Sequence, residues 1–408
     1  MITSEQREAY KEHLKENKKT AKIAMKRFKK SYLIWVLVGM VIGIGLVVIS
    51  KMLEVKGTMN TDSFGKYLLI GFVLYFVFII VNVIIHEAGH LIFGLMSGYR
   101  FLSFRIFSLT FVKKDGKIQR KKFKIKGTAG QCLMYPPKRS EDGSFPFVLY
   151  NLGGGIANLL ACIPFIILAI FIDGAIARTI FISFTISGLI LGLSNIIPMD
   201  MGLQNDGMNI ASMLKDEYIR EGFYLQLQIN AQMSEGKEIT DYDIETFEIP
   251  EGANDTNMLT VSNHFFSYYW YLVKKDYESA YNVLMKMTEK LGEYSLATFN
   301  MIQAERLFFM ILHDRPTCEI AALYYRTRYT LVAAKTDVGI QRIRYVYEAL
   351  LTEDKKKDIM SLIKKKVLKK WKPTDLDKLY KEISKTAENF PVVGEAKMHM
   401  DILNNCVF

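Results

Sequence analysis

The sequence predicts a mostly α-helical, polytopic membrane protein with four transmembrane helices, a β-hairpin at the membrane face and a soluble C-terminal α-helical domain. Half of the 408 residues are hydrophobic and 12% are aromatic, which excludes a disordered chain. The apolar residues are concentrated between residues 31 and 199, in stretches of about 20 residues that suit a bilayer crossing. The remainder has the mixed composition of soluble helices, so the sequence divides into a membrane part and an aqueous part.

The four predicted spans cover residues 32–53, 67–96, 147–172 and 175–198. A basic N-terminal helix over residues 1–31 precedes them, the membrane domain extends over residues 32–210, and residues 211–408 form the C-terminal domain. The first apolar stretch follows a long basic segment and has no small-residue cleavage site after it. It is therefore expected to remain in the protein as a membrane anchor.

The positive charge of the chain lies beside its apolar stretches. The net charge is +11, and this distribution of Lys and Arg is typical of the cytoplasmic side of a membrane protein. It argues against nucleic-acid binding and places both termini and the loop after the second span in the cytoplasm, with the N-terminal helix partly against anionic lipid of the bilayer. Four cysteines without paired spacing indicate a reducing compartment. The abundance of Lys and Ile favours a bacterial cytoplasmic membrane.

The loop after the second span contains a predicted β-hairpin over residues 101–126. Apolar and polar residues alternate in its strands, and Lys114-Asp115-Gly116-Lys117 is a typical hairpin turn. An edge strand at this position can pair with an extended peptide, or the hairpin can be a structural flap. The sequence leaves both interpretations open.

The C-terminal domain has apolar residues at helical spacing, as in Tyr277, Ala280, Tyr281, Leu284 and Met287. The segment over residues 271–280 resembles the turn of a tetratricopeptide repeat, and a generic helical bundle is the alternative. Stacked helix pairs commonly form concave peptide-binding surfaces. The domain is therefore predicted to bind a protein partner or to position a substrate.

One motif carries chemistry, namely His86-Glu87-Ala88-Gly89-His90 near the end of the second span. Residues four apart share a helix face, so both imidazoles can bind one zinc ion while Glu87 acts as general base. Three ionisable side chains in an apolar segment are costly, and zinc ligation provides a reason for their presence. The alternative is a pair of helix histidines that only form hydrogen bonds.

A catalytic zinc ion needs a third protein ligand and an open position. The end of the fourth span offers two carboxylates, Asp206 and Asp200, on the membrane side to which the histidine helix also leads. Asn158 and Asn195 lie in the third and fourth spans. Polar side chains in such spans either join helices by hydrogen bonds or belong to a site, where they would orient the substrate backbone or an oxyanion.

These motifs resemble those of the site-2 proteases, a family of intramembrane zinc metalloproteases. The resemblance covers about residues 67–210, and three motifs occur in the family's order. They are H-E-x-x-H at His86–His90, G-x-x-x-N at Gly154–Asn158, and N-x-x-P at Asn195–Pro198 followed by Asp206-Gly207.

The resemblance implies a three-helix catalytic core, with Glu87 as catalytic base and Asp206 as third zinc ligand. Two positions depart from the family pattern. The middle motif has Gly155 where the family usually has a proline, and the spacing from Pro198 to Asp206 is longer than usual. Asp200 therefore stays open as the alternative third ligand.

The predicted function is hydrolysis of a peptide bond in or next to the membrane. The substrate would be either a transmembrane signalling protein or a small membrane-associated peptide precursor, and its helix must unwind because helical amides are already hydrogen-bonded. One alternative is a catalytically inactive membrane scaffold that recruits partners through the C-terminal helices, although a scaffold has no need of the H-E-x-x-H motif. Another is a zinc-dependent transporter, against which the lack of an evident internal repeat argues.

Overall fold

The computed structural model describes residues 2–23, 61–114, 116–123, 128–200, 203–333, 337–363 and 375–407, together with the single residues 25, 33 and 36. The predicted first span, residues 32–53, lies outside the described residues apart from two isolated positions. The chain forms two compact units. The helical unit comprises Met1–Lys26, Phe107–Thr128 and Asp216–Phe408, and the membrane unit comprises Arg27–Ile106 and Ala129–Lys215.

Helices make up most of the described chain, and a small group of strands lies between the second and third of them. In chain order the helices are α1 (residues 4–23), α2 (Thr61–Met96), α3 (Phe147–Phe171), α4 (Ala175–Ile196), α5 (Asp206–Lys215), α6 (Glu217–Ser234), α7 (Val261–Val273), α8 (Tyr277–Glu289), α9 (Leu296–Leu312), α10 (Thr317–Ala333), α11 (Val338–Leu350), α12 (Glu353–Leu362), α13 (Leu376–Asn389) and α14 (Val393–Val407). The strands are β1 (Arg100–Ile106), β2 (Leu109–Lys114), β3 (Lys117–Lys122) and β4 (Gly130–Tyr135).

In the membrane unit, α2, α3 and α4 pack against one another. Each contains a segment long and apolar enough to cross a membrane, over Gly65–Met96, Phe147–Phe171 and Ala175–Ile196. These segments correspond to the second, third and fourth predicted spans. Large apolar side chains such as Leu69 and Phe72 stay exposed on α2, which is expected of a helix surface that faces lipid.

Two glycines allow α2 and α3 to approach closely beside the histidine motif. A Cβ atom on Gly89 would lie 2.3 Å from the carbonyl oxygen of Gly153, and one on Gly153 would lie 2.7 Å from the carbonyl oxygen of Gly89. Both distances are shorter than van der Waals contact, so a larger residue at either position would push the backbones apart. The crossing of these helices is thereby fixed close to His86 and His90.

The strands differ in part from the prediction. β2 and β3 form the expected antiparallel hairpin, which closes at Lys114 and Lys117 with Gly116 at a φ of 76°. Phe107, between β1 and β2, has a φ of 53°. β1 pairs with β4, which begins beyond residue 126. The hairpin predicted over residues 101–126 is thus present as β2 and β3, whereas the pairing of β1 with β4 was not predicted.

The helical unit has a hydrophobic core to which three separate chain segments contribute. Tyr10 of α1 and Phe123, which follows β3, are buried in the same cluster as Leu307 of the C-terminal helices. The rings of Phe123 and Phe390 meet edge to face, with 4.8 Å between their centroids. The N-terminal helix, the hairpin and the C-terminal helices therefore fold as one body, although apolar spans separate them in the sequence.

The apolar stripe predicted for α8 is only partly buried. Ala280, Leu284 and Met287 lie in the core, whereas Tyr281 leaves 43% of its surface exposed. Helices α7 and α8 pack as one pair and α9 and α10 as another. This arrangement is common to many helical bundles, so the tetratricopeptide-like architecture stays a prediction.

A buried ion pair joins α9 and α11. Arg342 donates to both carboxylate oxygens of Glu305, at 2.7 and 2.6 Å, and neither side chain reaches solvent. The hydroxyl groups of Tyr268 and Tyr269 donate to the same carboxylate at 2.8 and 3.1 Å. Since an unpaired buried charge is far less stable than a paired one, each partner depends on the other.

Candidate metal centre

His86, His90 and Asp206 come together where the end of α2 meets the start of α5. The two histidines are one helical turn apart, and their Nε2 atoms are separated by 3.2 Å. Oδ2 of Asp206 lies 3.3 Å from Nε2 of His86 and 3.4 Å from Nε2 of His90. Each histidine leaves less than a tenth of its surface exposed, so three potential metal ligands face one another in a site largely closed to water.

Hydrogen bonds to carbonyl oxygens determine where each imidazole carries its hydrogen. Nδ1 of His86 lies 3.0 Å from Oδ1 of Asn158, and Nδ1 of His90 lies 2.8 Å from the backbone oxygen of Tyr150. The amide of Asn158 is itself oriented, because its Nδ2 donates to the backbone oxygen and to Oδ1 of Asn82. Carbonyl oxygens only accept, so the neutral imidazoles carry hydrogen on Nδ1 and present a lone pair on Nε2.

The cluster therefore brings three electron-rich atoms together with no hydrogen between them. Among the described residues no hydrogen-bond donor satisfies the buried Oδ2 of Asp206. A proton on one Nε2 could form a hydrogen bond to only one of the other two atoms. A metal ion between the three atoms could accept a lone pair from each of them. The donor set thus fits a bound metal ion.

Asn205 places Asp206 at this position. Its Oδ1 accepts from the backbone N–H of Met208 at 2.9 Å, as expected of the residue that caps a helix N-terminus. Its Nδ2 donates at 2.6 Å to the carbonyl oxygen of Ser194, near the end of α4. A Cβ atom on Gly207 would lie 2.0 Å from a carbonyl oxygen of α4. The junction of α4 and α5 therefore requires both the cap and the glycine.

Gly154 brings the backbone of α3 against both imidazoles. A Cβ atom at this position would lie 2.5 Å from Cε1 of His86 and 2.6 Å from the Nε2 atoms of His86 and His90. The neighbouring Gly153 faces α2, and Gly155 faces Ile196 of α4. The three consecutive glycines thus serve different contacts, and Gly154 borders the ligand atoms.

Glu87 is buried next to the histidines, with β4 against its side chain. A Cβ atom on Gly130, the first residue of β4, would lie 2.3 Å from Oε1 of Glu87. The buried Arg105 of β1 donates from Nη2 to the carbonyl oxygen of Gly130 at 3.1 Å. Burial lowers the pKa of Arg105, and the charge of Glu87 acts in the opposite direction. Arg105 therefore supports Glu87 in two ways. Its hydrogen bond holds the start of β4, which lies against the Glu87 side chain, and its positive charge attracts the Glu87 carboxylate.

The other predicted residues have different surroundings. Asn195 donates from Nδ2 to the backbone oxygen of Leu191 at 2.9 Å, within its own helix. Asp200 forms an isolated bridge with Gln204 and does not belong to the group of three ligands found among the described residues. Asn158, by contrast, contacts a ligand histidine directly.

Sequence reasoning did not identify Asn82, Arg105 and Asn205. Asn82 lies four residues before His86, so its place on the same helix face was a usable signal. Asn205 directly precedes a helix, where asparagine is a preferred cap. No local pattern connects Arg105 to Glu87, because their proximity depends on how β1 and β4 pair.

Two nitrogen ligands, one oxygen ligand and an adjacent carboxylate are the arrangement with which proteins activate water at a metal ion. The second layer of hydrogen bonds, through Asn158 and the backbone of Tyr150, orients the imidazoles as metal sites require. No protein-family model, curated protein or solved structure matches this chain.

Proposed function

We propose that the chain is a zinc metalloprotease that hydrolyses a peptide bond in or next to the membrane. The observation that carries this proposal is the group of His86, His90 and Asp206, with Glu87 beside it. Both histidines and Glu87 lie on α2, a helix able to cross a membrane. The resemblance to site-2 proteases in three motifs supports the same reaction. A catalytically inactive scaffold is the weaker alternative, because a buried cluster of ionisable groups is costly unless it has a function.

Zinc suits the donor set better than other common metals. It binds imidazole nitrogen and carboxylate oxygen, and three protein ligands leave a position open for water or substrate. Calcium and magnesium prefer sites built from oxygen ligands alone. When bound, zinc would supply Lewis-acid chemistry that makes water more acidic and polarises a peptide carbonyl group.

Glu87 is the residue that moves protons in this proposal. Its carboxylate accepts a proton from the attacking water and delivers it to the nitrogen of the departing amine. Arg105 stabilises the ionised carboxylate by its charge. Asn158 is a positioning residue, since its amide is already used by His86 and Asn82. The substrate is either a transmembrane signalling protein or a small membrane-associated peptide precursor.

Four membrane crossings and cytoplasmic termini are also part of the proposal. We infer that the three segments of the helical unit lie on one side of the membrane, because they share one core. This inference requires an even number of crossings between residues 26 and 107, and between residues 128 and 216. The second interval contains α3 and α4, whereas the structure describes only α2 in the first. The predicted span over residues 32–53 would provide the second crossing of the first interval, and the abundance of Lys and Arg favours the cytoplasmic side.

The test uses full-length protein purified in detergent, with metal content measured beside cleavage of a membrane-spanning reporter peptide. We expect stoichiometric zinc and a cleavage product in the wild type. Glu87→Gln keeps zinc and loses cleavage, and His90→Ala loses both. Glu141→Gln, which alters an exposed carboxylate of the same unit, changes neither. Cleavage at the wild-type rate by the Glu87→Gln variant would refute the proposal.

A further inference from the structure

Helices α8, α9 and α10 border a cavity of about 590 Å³ within the helical unit. Tyr281, Phe309 and His313 form an aromatic wall on one side of it. The ring centroids of Tyr281 and Phe309 are 5.6 Å apart, and His313 stacks on Phe309 at the same distance. Since 43% of the surface of Tyr281 is exposed, its ring is available to a ligand, although sequence periodicity predicted it in the core.

A positive charge that forms no ion pair with any described residue lies beside this wall, in a cavity whose lining also includes two glutamates. Arg306 lines the cavity and also an adjoining cavity of about 360 Å³ that reaches α1. Its Nη1 donates to Oε1 of Gln303 at 2.8 Å, and among the described residues no carboxylate lies within ion-pair distance of it. Burial lowers the pKa of Arg306, with the charge of Glu16 opposing this. Arg315 and Glu319, in contrast, pair with each other.

We propose that these adjoining cavities bind a peptide segment that places an apolar side chain against Tyr281 and Phe309 and a carboxylate on Arg306. A partly buried cation gains charge-assisted hydrogen bonds when an anion pairs with it. The larger cavity has a volume typical of ligand sites, and the smaller one lies next to it, since Arg306, Met310 and Glu319 line both. The choice of a peptide as occupant rests on the proposed function, in which protein segments are the substrates. Binding itself requires neither zinc nor Glu87.

The probes are short fluorescent peptides that differ in one group. The first has blocked termini and a phenylalanine beside a glutamate, and the second has glutamine in place of the glutamate. A third keeps the glutamine and has a free C-terminal carboxylate, so it distinguishes an acidic side chain from a chain terminus. Binding is measured by fluorescence anisotropy with full-length Glu87→Gln protein, which prevents cleavage. We expect saturable binding of at least one carboxylate peptide, about tenfold tighter than that of the neutral peptide.

Variants of the cavity identify the groups responsible. Arg306→Gln should remove the preference for the carboxylate, and Tyr281→Ala should weaken all three peptides. Tyr329→Ala, which changes an exposed tyrosine of α10 outside the cavity, should leave binding unchanged. The proposal is overturned by an absence of saturable binding, by binding of both carboxylate peptides no tighter than that of the neutral peptide, or by an unaltered preference in Arg306→Gln. If circular dichroism shows that Arg306→Gln is unfolded, the proposal is judged from the affinities of the three peptides and from the effect of Tyr281→Ala. Failure of the proposed function would appear separately, as loss of zinc or of reporter cleavage.

Discussion

Gly154→Ala tests whether the site is built for a metal ion. The added methyl group would lie 2.6 Å from both Nε2 atoms, whereas ordinary contact requires about 3.4 Å. One imidazole or the α3 backbone must therefore move by roughly 0.8 Å. Metal–ligand distances tolerate only about 0.2 Å of deviation. We expect zinc affinity to fall roughly 100-fold. This is the upper end of the loss of about 10- to 100-fold in metal affinity that follows when the groups holding a metal ligand in place are changed.

The measurement is zinc competition against a chromophoric chelator, using detergent-purified protein at constant pH. Gly71→Ala is the matched control, because its methyl group would meet Ser183 Oγ at an ordinary 3.4 Å on the same helix as the histidines. Thermal unfolding establishes that both variants are folded. If folded Gly154→Ala binds zinc as tightly as wild type and Gly71→Ala do, then the two Nε2 atoms do not share a metal ion in the geometry described here.

Three further outcomes are expected. Asn158→Ala removes the acceptor for the Nδ1 hydrogen of His86 and should lower zinc affinity about 10- to 100-fold in the same competition assay. An unchanged zinc affinity would contradict the positioning role of Asn158. Glu305→Ala leaves the buried Arg342 without its counter-ion and should lower the free energy of unfolding by about 3–5 kcal/mol, measured by denaturation of the full chain. Single cysteines at residues 60 and 117 should react with an impermeant reagent only at residue 60, and labelling at Lys117 from outside would overturn the four-span topology.

The ligand set is predictable from the sequence because local geometry determines most of it. Helical periodicity alone places His86 and His90 on one face. The approach of Asp206 needs only that α4 pack against α2 and be followed closely by α5, as the structure shows. The supporting contacts are less accessible to sequence reasoning. Asn82 and Asn158 meet because α2 and α3 cross at Gly89 and Gly153, a register that depends on close backbone packing.

In the helical unit, secondary structure was predictable from the sequence, but the association of distant segments was not. The helical character of residues 211–408 was predictable from apolar residues at helical spacing, as in α8, and the turn at Gly116 from its residue type. The association of α1 and the hairpin with the C-terminal helices was not predicted. It depends on which apolar side chains share a core, as Tyr10 and Phe123 do, and such pairings between distant segments leave no local pattern. Tyr281 is a related case, because helical spacing cannot distinguish a core position from a cavity wall.

The helical unit combines three distant segments of the chain, so its core can form only after the last segment has been synthesised. The ribosome releases α1 and the hairpin long before it reaches Phe390, which packs against Phe123. Until then, Tyr10 and Phe123 have no completed core to enter, while α2, α3 and α4 can already insert into the bilayer. The burial of Tyr10 and Phe123 must therefore wait for the synthesis of the C-terminal helices. A chain that stops before α13 would therefore expose the apolar side chains of Tyr10 and Phe123 to chaperones and proteases.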